Sequence, residues 1–460
     1  MPYFWLLVRW AFVLSLMGCA GCRSLPRIDP DMAPPKTAKV QIDSAHGPLS
    51  PARSKAILDA LKTGAKETNL FDRHLALEEA LAGSPLVTGN KVSLLQDGPA
   101  TYRAMLQAIH DAKSHVHMET YIFEDDETGQ RFAQALIAKQ QQGVPVSLIY
   151  DAVGALGTPR EFFKPMTDAG IQVLEFNPVN PLAAKAGWNV NERDHRKLLI
   201  ADGRVAFLGG VNISGVYSGG SLKSAPRKGP RLPWRDTHLQ IEGPVVAEYQ
   251  KMFLETWSRQ KGPPLPPRDF FPPPQPRGKE VVRAIAGSPD ESFSAIYATF
   301  ISAIQNAETE ILLTNAYFAP DPQLLDALKN AVRRGVDVKL ILPSKTDSGL
   351  IFHAGRSYYD ELLHAGIKIY ERRDALLHSK TAVIDGVWST IGSTNLDWRS
   401  FLHNQEVNAV VLGPDFAAQM KAVFEGDLAA SDAITLAQWE QRGIGDRLKE
   451  SLARMWVYWL

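Results

Sequence analysis

Cysteine is almost missing from this chain. Cys19 and Cys22 are the only two, both near the start. The remaining sequence therefore has no disulfide framework and no thiolate metal site. Charge of one sign is missing too, since lysine plus arginine equals aspartate plus glutamate at 50 each. Generic binding to a nucleic-acid backbone normally goes with a basic excess, so no nucleic-acid partner is expected. The apolar stretch Trp10 to Met17 is too short to span a bilayer comfortably. With Arg9 as its one charge, residues 1–18 instead fit an export signal or an N-terminal hydrophobic anchor. Leu16-Met17-Gly18-Cys19 matches a lipoprotein cleavage box, with Cys19 as the lipid-bearing residue and Cys22 as a weaker candidate. Either reading, lipidated or uncleaved, puts the folded part at a membrane surface in the cell envelope, facing the periplasm or exterior.

What is present is a repeat. Residues 19–50 are rich in proline, aspartate and serine and read as a tether. The first half, 51–262, opens with helix-like leucine spacing and continues as strand (116–123), helix (132–139) and buried strand (143–149). The second half, 279–460, repeats the order with strand 311–318, helix 324–333 and strand 335–341. Both continue to a helix ending in Ala-Gly-Ile and a further strand, which predicts an α/β fold with a largely parallel sheet. Between them, 263–278 carries consecutive prolines, which build neither helix nor central strand, and reads as an extended linker. The first half has extra segments at 176–194 and 219–233. The second of these carries Lys223, Arg227, Lys228 and Arg231, as a solvated loop or a contact with anionic headgroups. At the C-terminus, Leu448, Leu452, Trp456 and Trp459 share one helical face, which is expected to pack against the body, with interfacial membrane contact as the alternative.

The repeated element with chemistry is short. His195, Lys197 and Asp202 recur at the same spacing as His378, Lys380 and Asp385. Each copy runs on to a small-residue turn, ending in Asn212 and in Asn395 after identical intervals. On a strand, residues two apart face one side, so each His projects with its Lys. Asp202-Gly203 and Asp385-Gly386 predict two-residue hairpins, which would set Gly210 opposite His195 and Ser393 opposite His378. Small residues there would leave room for a phosphate, and the Asn amides can donate to its oxygens. Asp236 and Glu406 stand at equal distances before Gly-Pro pairs, and each can hold a histidine in one tautomer.

Such an inventory suits a phosphodiester. One neutral imidazole can attack phosphorus and the other can protonate the leaving oxygen. Lysines and asparagines stabilise the anionic transition state. No cofactor is needed and no metal-ligand cluster stands out. The acidic run Glu124 to Glu127 precedes a helix and is read as N-terminal helix charge.

These motifs resemble the phospholipase D superfamily. The flanks Tyr121-Ile122-Phe123, Asp194-His195-Arg196-Lys197 and Trp234-Arg235-Asp236-Thr237-His238 are similar to bacterial cardiolipin synthases. The resemblance implies two α/β/α sandwich domains around one pseudo-twofold shared active site and a phosphohistidine intermediate. It implies His195 as nucleophile and His378 as general acid, or the reverse. Lys197, Lys380, Asn212 and Asn395 would bind phosphate, Asp236 and Glu406 would orient the imidazoles, and Asp202 and Asp385 would be structural. The implied partners are membrane phospholipids, phosphatidylglycerol and phosphatidylethanolamine among them. Phosphatidyl transfer, phospholipase D hydrolysis, a nuclease and a silent envelope scaffold are the competing functions.

Overall fold

The computed structural model describes residues 24–28, 40–63, 74–81, 83–180, 182, 188–219, 232–289 and 294–459. The segment 1–18, Cys19, Cys22 and the basic residues Lys223, Arg227, Lys228 and Arg231 lie outside the described residues. Among those described, no helix is long and apolar enough to cross a membrane.

Seven strands in each half form the frame. The first half supplies β1 (Leu86–Gln96), β2 (Val116–Thr120), β3 (Val146–Asp151), β4 (Gln172–Phe176), β5 (Lys197–Ala201), β6 (Val205–Gly209) and β7 (Thr237–Glu242). The second supplies β8 (Glu280–Gly287), β9 (Glu310–Asn315), β10 (Asp337–Pro343), β11 (Lys368–Arg372), β12 (Lys380–Ile384), β13 (Trp388–Gly392) and β14 (Asn404–Leu412). The spatial orders, β4-β3-β2-β5-β6-β7-β1 and β11-β10-β9-β12-β13-β14-β8, are the same order twice. At the seam β1 and β8 pair antiparallel, so both halves belong to one 18-stranded sheet.

The sheet is mixed rather than largely parallel. β2, β3 and β4 are parallel, as are β9, β10 and β11. β5 and β12 return antiparallel beside them. The tight turn after each motif strand then delivers the next neighbour, β6 or β13, antiparallel as well.

Alternation along the strands divides the core. Leu198 and Ile200 point into a cluster shared by both halves, beneath helices Val246–Arg259 and Pro414–Ala429. Leu199 and Ala201 point into the opposite cluster, under helices Asp97–Asp111, Glu127–Gln141 and Arg160–Asp168. Each fully buried side chain of this size contributes about 1.5–3 kcal/mol. Asp126, from the acidic run, caps the Glu127–Gln141 helix by accepting the Gly129 N–H at 2.9 Å. The proline-rich stretch forms neither helix nor strand and lies along the first half. Trp257 Nε1 donates to Pro263 O at 2.8 Å, Arg277 N–H donates to Gly89 O at 2.8 Å, and Phe270 rests on His115 and His117.

The turn after each motif is one residue longer than the two-residue hairpin. Asp202 and Gly203 both take positive φ, as do Asp385 and Gly386. Arg204 N–H donates to Ala201 O at 3.0 Å, yet pairing resumes only at Ala201 with Val205, leaving Arg204 as a bulge. In the second half Ile384 pairs with Trp388. Gly210 is therefore not opposite His195, nor Ser393 opposite His378. The cause is a second duty of each Asp. Asp202 accepts backbone N–H groups of Lys113, Ser114 and His115, at 2.6–3.1 Å. Asp385 likewise accepts those of Glu308, Thr309 and Glu310, and the Thr309 hydroxyl. Each carboxylate ties its hairpin to the loop entering β2 or β9.

The C-terminal apolar face does not pack against the body. Helix Ile444–Arg454 rests on it through Glu450, Ala453 and Val457, while Leu448 and Leu452 are 59% and 54% exposed. An ion pair from Arg442 to Glu450 at 3.0 Å and the Arg454 guanidinium over the Tyr358 ring fix that rotation.

Asp385→Ala removes a cluster of hydrogen bonds to a charged group and places alanine at φ +51°. The expected loss is about 2–4 kcal/mol in urea unfolding, with kcat of the folded fraction within about two-fold of wild type. Unchanged stability would contradict the clamp.

Candidate active site

The two motifs meet at the seam because each is stitched to the other half. Residues 193–194 pair with the start of β14, Arg193 with Asn404 and Asp194 with Gln405. Residues 376–377 pair with 234–235 in the same parallel sense. His195 N–H then donates to Gln405 O at 2.9 Å, and His378 N–H to Arg235 O at 2.8 Å. One residue beyond each acceptor stands a carboxylate of that other half.

The imidazole partners therefore cross. His195 Nδ1 lies 3.1 Å from both oxygens of Glu406. His378 Nδ1 lies 2.7 Å from Asp236 Oδ2. The small residues that were expected to leave room for a phosphate serve these carboxylates. A Cβ on Gly210 would overlap Asp236, and the Ser393 hydroxyl donates to Glu406. With Nδ1–H engaged, each imidazole presents Nε2 as its free nitrogen.

Burial sets the electrostatics. His195, His378, Lys197 and Lys380 are all under 8% exposed. Burial pushes the His195 imidazole down to about 4, against the pull of Glu406. Burial alone would raise Glu406, but His195 and Lys197 hold it down at about 2, so it is an anion. Burial, then Lys380 and Lys197, drives His378 well below its ordinary value. Asp236 is pushed up by burial to about 6, with Lys380 opposing. Burial lowers Lys197 to about 7 and Lys380 to about 8. Lys197 feels the charge of Lys380, and each lysine donates to the carbonyl of its own histidine. The result is two neutral imidazoles and two half-strength cations in one dry cleft, an arrangement that an entering phosphate anion would relieve.

Asn212 and Asn395 are buried beside their motifs. Asn212 Nδ2 donates to the Tyr217 hydroxyl at 3.0 Å, and its Oδ1 accepts Ile122 N–H. Asn395 Oδ1 has no hydrogen-bond partner among the described residues. Asp202 and Asp385 are not in the cleft; they hold the hairpins.

Of the other residues here, Tyr217, Tyr317 and Glu119 carried no sequence signal of their own, whereas Tyr121, Asp194, Arg196 and Trp234 stood in the flanks that carry the resemblance. Tyr217 Oη sits 3.3 Å from His378 Nδ1, and Trp234 and Tyr317 also face that ring, at 5.0 and 6.2 Å. Tyr121 packs edge-on to His195 at 5.1 Å. Arg196 runs behind the first motif, its Nε donating to Glu406 O at 3.0 Å and its Nη1 to Thr256. Beside it burial pushes the Glu119 and Asp194 carboxyls up. The second half has Ser379 instead, bonded to Thr237 at 3.1 Å.

Comparison with known proteins agrees with this geometry. A family described as "Cardiolipin synthase, PLD-like domain" matches residues 105–217 and 300–428. The cardiolipin synthase of Geobacillus sp. (strain WCH70) is 35% identical over 384 residues, 83% of this chain and 74% of that protein. That of Halalkalibacterium halodurans is 34% identical over 397 residues, 86% of this chain and 76% of its own. The phosphatidylserine synthase of Haemophilus influenzae superposes with a TM-score of 0.61 over 83% of this chain and 97% of that chain. At 13% identity that likeness speaks to the fold alone. The chain belongs to the phospholipase D superfamily. Within it, the chain is an enzyme homologous to the bacterial cardiolipin synthases.

Glu406→Gln is expected to lower kcat by about three orders of magnitude. In unfolding cycles, Glu406 should couple to His195 and Asp236 to His378, while Asp236 and His195 stay additive within about 0.5 kcal/mol. Coupling within one half instead would refute the crossed pairing. The pH profile of kcat/KM should be bell-shaped. Its acid limb, near 6, is protonation of Asp236 as pH falls; its alkaline limb, between 7 and 8, is loss of charge on Lys197 and Lys380 as pH rises.

Proposed function

We propose that the chain is a phosphatidyltransferase acting on membrane phospholipids, in two in-line displacements at phosphorus. Crossed histidine–carboxylate pairs around two lysines carry this reading. His195 Nε2 attacks the phosphorus of phosphatidylglycerol or phosphatidylethanolamine. The bond to the headgroup oxygen breaks as His378, protonated in the substrate complex, donates to the departing alkoxide. The phosphatidyl group is then held as a phosphoramidate on His195. His378, now neutral, takes the proton from a hydroxyl of a second phosphatidylglycerol, whose oxygen displaces His195 from phosphorus. With phosphatidylglycerol as donor, the products are cardiolipin and glycerol.

His195 is assigned as nucleophile from its partner. Glu406 is fully ionised, so it strengthens Nδ1–H donation and raises the electron density at Nε2. Asp236, nearer neutrality, does this less for His378. Lys197 and Lys380 meet the equatorial phosphoryl oxygens, with Asn212 and Asn395 as further donors. The aromatic walls Tyr121, Tyr217, Trp234 and Tyr317 limit water around the intermediate and favour a lipid alcohol as acceptor. Anchoring through residues 1–18, lipidated at Cys19 or uncleaved, would hold the enzyme at the outward face of a bacterial envelope membrane.

Purified protein given radiolabelled phosphatidylglycerol should form cardiolipin and glycerol in equal amounts. Phosphatidic acid as the sole lipid product would replace this reading with hydrolysis. His378→Ala should accumulate an acid-labile lipid adduct on the protein and His195→Ala none; the opposite pattern would reverse the two roles.

A further inference from the structure

The apolar face that the C-terminal helix leaves uncovered points away from the body. Ile444, Leu448, Leu452 and Met455 follow one another at spacings of four, four and three, a single stripe on an α-helix. Ile444 is 85% exposed and Met455 77%, and Trp456 and Trp459 continue the stripe beyond the helix. The buried residues Glu450, Ala453 and Val457 occupy the opposite side. Arg447 and Arg454 flank the stripe on one side and Lys449 on the other. An outward apolar stripe with basic flanks and terminal tryptophans is the build of a helix lying in a lipid interface.

Its place in the fold is the second observation. His195 stands two residues before Lys197, the first residue of β5, which pairs with Thr120, the last residue of β2. The active site therefore opens at the carboxyl ends of the parallel strands. Large apolar side chains are exposed on loops at that same edge: Leu156 after β3, Val179 and Leu182 after β4, and Leu350 after β10. The C-terminal helix packs on helix Gly349–Arg356, which begins there. Its tail joins through Tyr458 against Trp398, at 5.3 Å, to the short helix Trp398–Leu402 just after Asn395.

The chain also enters the described body at this edge. Ile28 N–H donates to Gln323 Oε1 at 2.9 Å. Gln323 Nε2 donates to the Tyr297 hydroxyl at 2.9 Å, and Tyr297 packs on Phe401 of that same short helix. Ile28 is thus held on the face that carries the site.

We propose that this face is a membrane-docking surface for an anionic phospholipid bilayer. The C-terminal stripe inserts to the acyl boundary, Arg447 and Lys449 meet the headgroups, and the rim loops seat the cleft mouth on the lipid plane. A phospholipid then reaches the two imidazoles without leaving the surface for water. The proposal rests on the membrane-phospholipid reading of the active site.

The test uses the full chain as wild type, L448E/L452E and W456F/W459F. Turnover is measured on vesicles of equal parts phosphatidylglycerol and phosphatidylcholine, and on dispersed short-chain phosphatidylglycerol. L448E/L452E should lose at least about ten-fold on vesicles and change by less than about two-fold on the dispersed substrate. Acyl-brominated lipids should quench wild-type tryptophan emission more than that of W456F/W459F. Unchanged vesicle turnover, or equal quenching, overturns the proposal. A fall in solution mass from dimer to monomer in L448E/L452E, with vesicle turnover kept, also overturns it and assigns the face to a second copy. If wild type turns over neither substrate, the lipid-enzyme reading fails on its own, and the quenching difference still decides whether the face enters a bilayer.

Discussion

Each catalytic imidazole depends on a carboxylate from the other half of the chain. His195 is held by Glu406 and His378 by Asp236, and every larger feature follows from keeping those two contacts. A neutral imidazole buried in a protein interior has no preferred tautomer of its own. The carboxylate supplies one. Because it comes from across the seam, neither half has a working nitrogen by itself. The two-residue strands around 193–194 and 376–377, the Gly210 clearance and the Arg196 reach to the Glu406 carbonyl all serve to set that distance.

The halves are equal in frame and unequal in chemistry. Behind His195 lies a charged layer of Arg196, Asp194 and Glu119; the matching place behind His378 holds the neutral Ser379–Thr237 pair. In front, His378 is enclosed by Tyr217 and Trp234, while Tyr121 faces His195. A pseudo-twofold site would otherwise give both histidines one role. On the proposed mechanism, different surroundings would let one carry the covalent bond while the other carries the proton.

Much of this was legible in residue order. The doubled His-Lys-Asp spacing located both half-sites, and the equal offsets of Asp236 and Glu406 from their Gly-Pro pairs marked them as equivalent. The crossing was not legible, since spacing along one chain does not say which half's carboxylate meets which imidazole. The hairpin register slipped by one residue because Asp202 and Asp385 are recruited by neighbouring N–H groups, a tertiary demand that local turn chemistry does not contain. The aromatic wall was only half legible for a similar reason: Trp234 stood in a recognised flank, but Tyr217 comes from a separate segment of the first half, and the two meet around a histidine of the second. At the C-terminus the apolar stripe was visible, but its direction was decided by Arg442 and Glu450, whose ion pair turns the helix outward.

The pairing of β1 with β8 carries a kinetic meaning. Many two-lobed enzymes admit substrate by swinging their lobes about a hinge. Here the lobes share a hydrogen-bonded ladder and a common apolar core, so opening them would tear a sheet. The cleft is consequently a fixed aperture. Its traffic is governed by what slides past the rim, and on the proposed reaction the rate at which a bulky four-tailed product departs becomes a property of the surface the aperture faces.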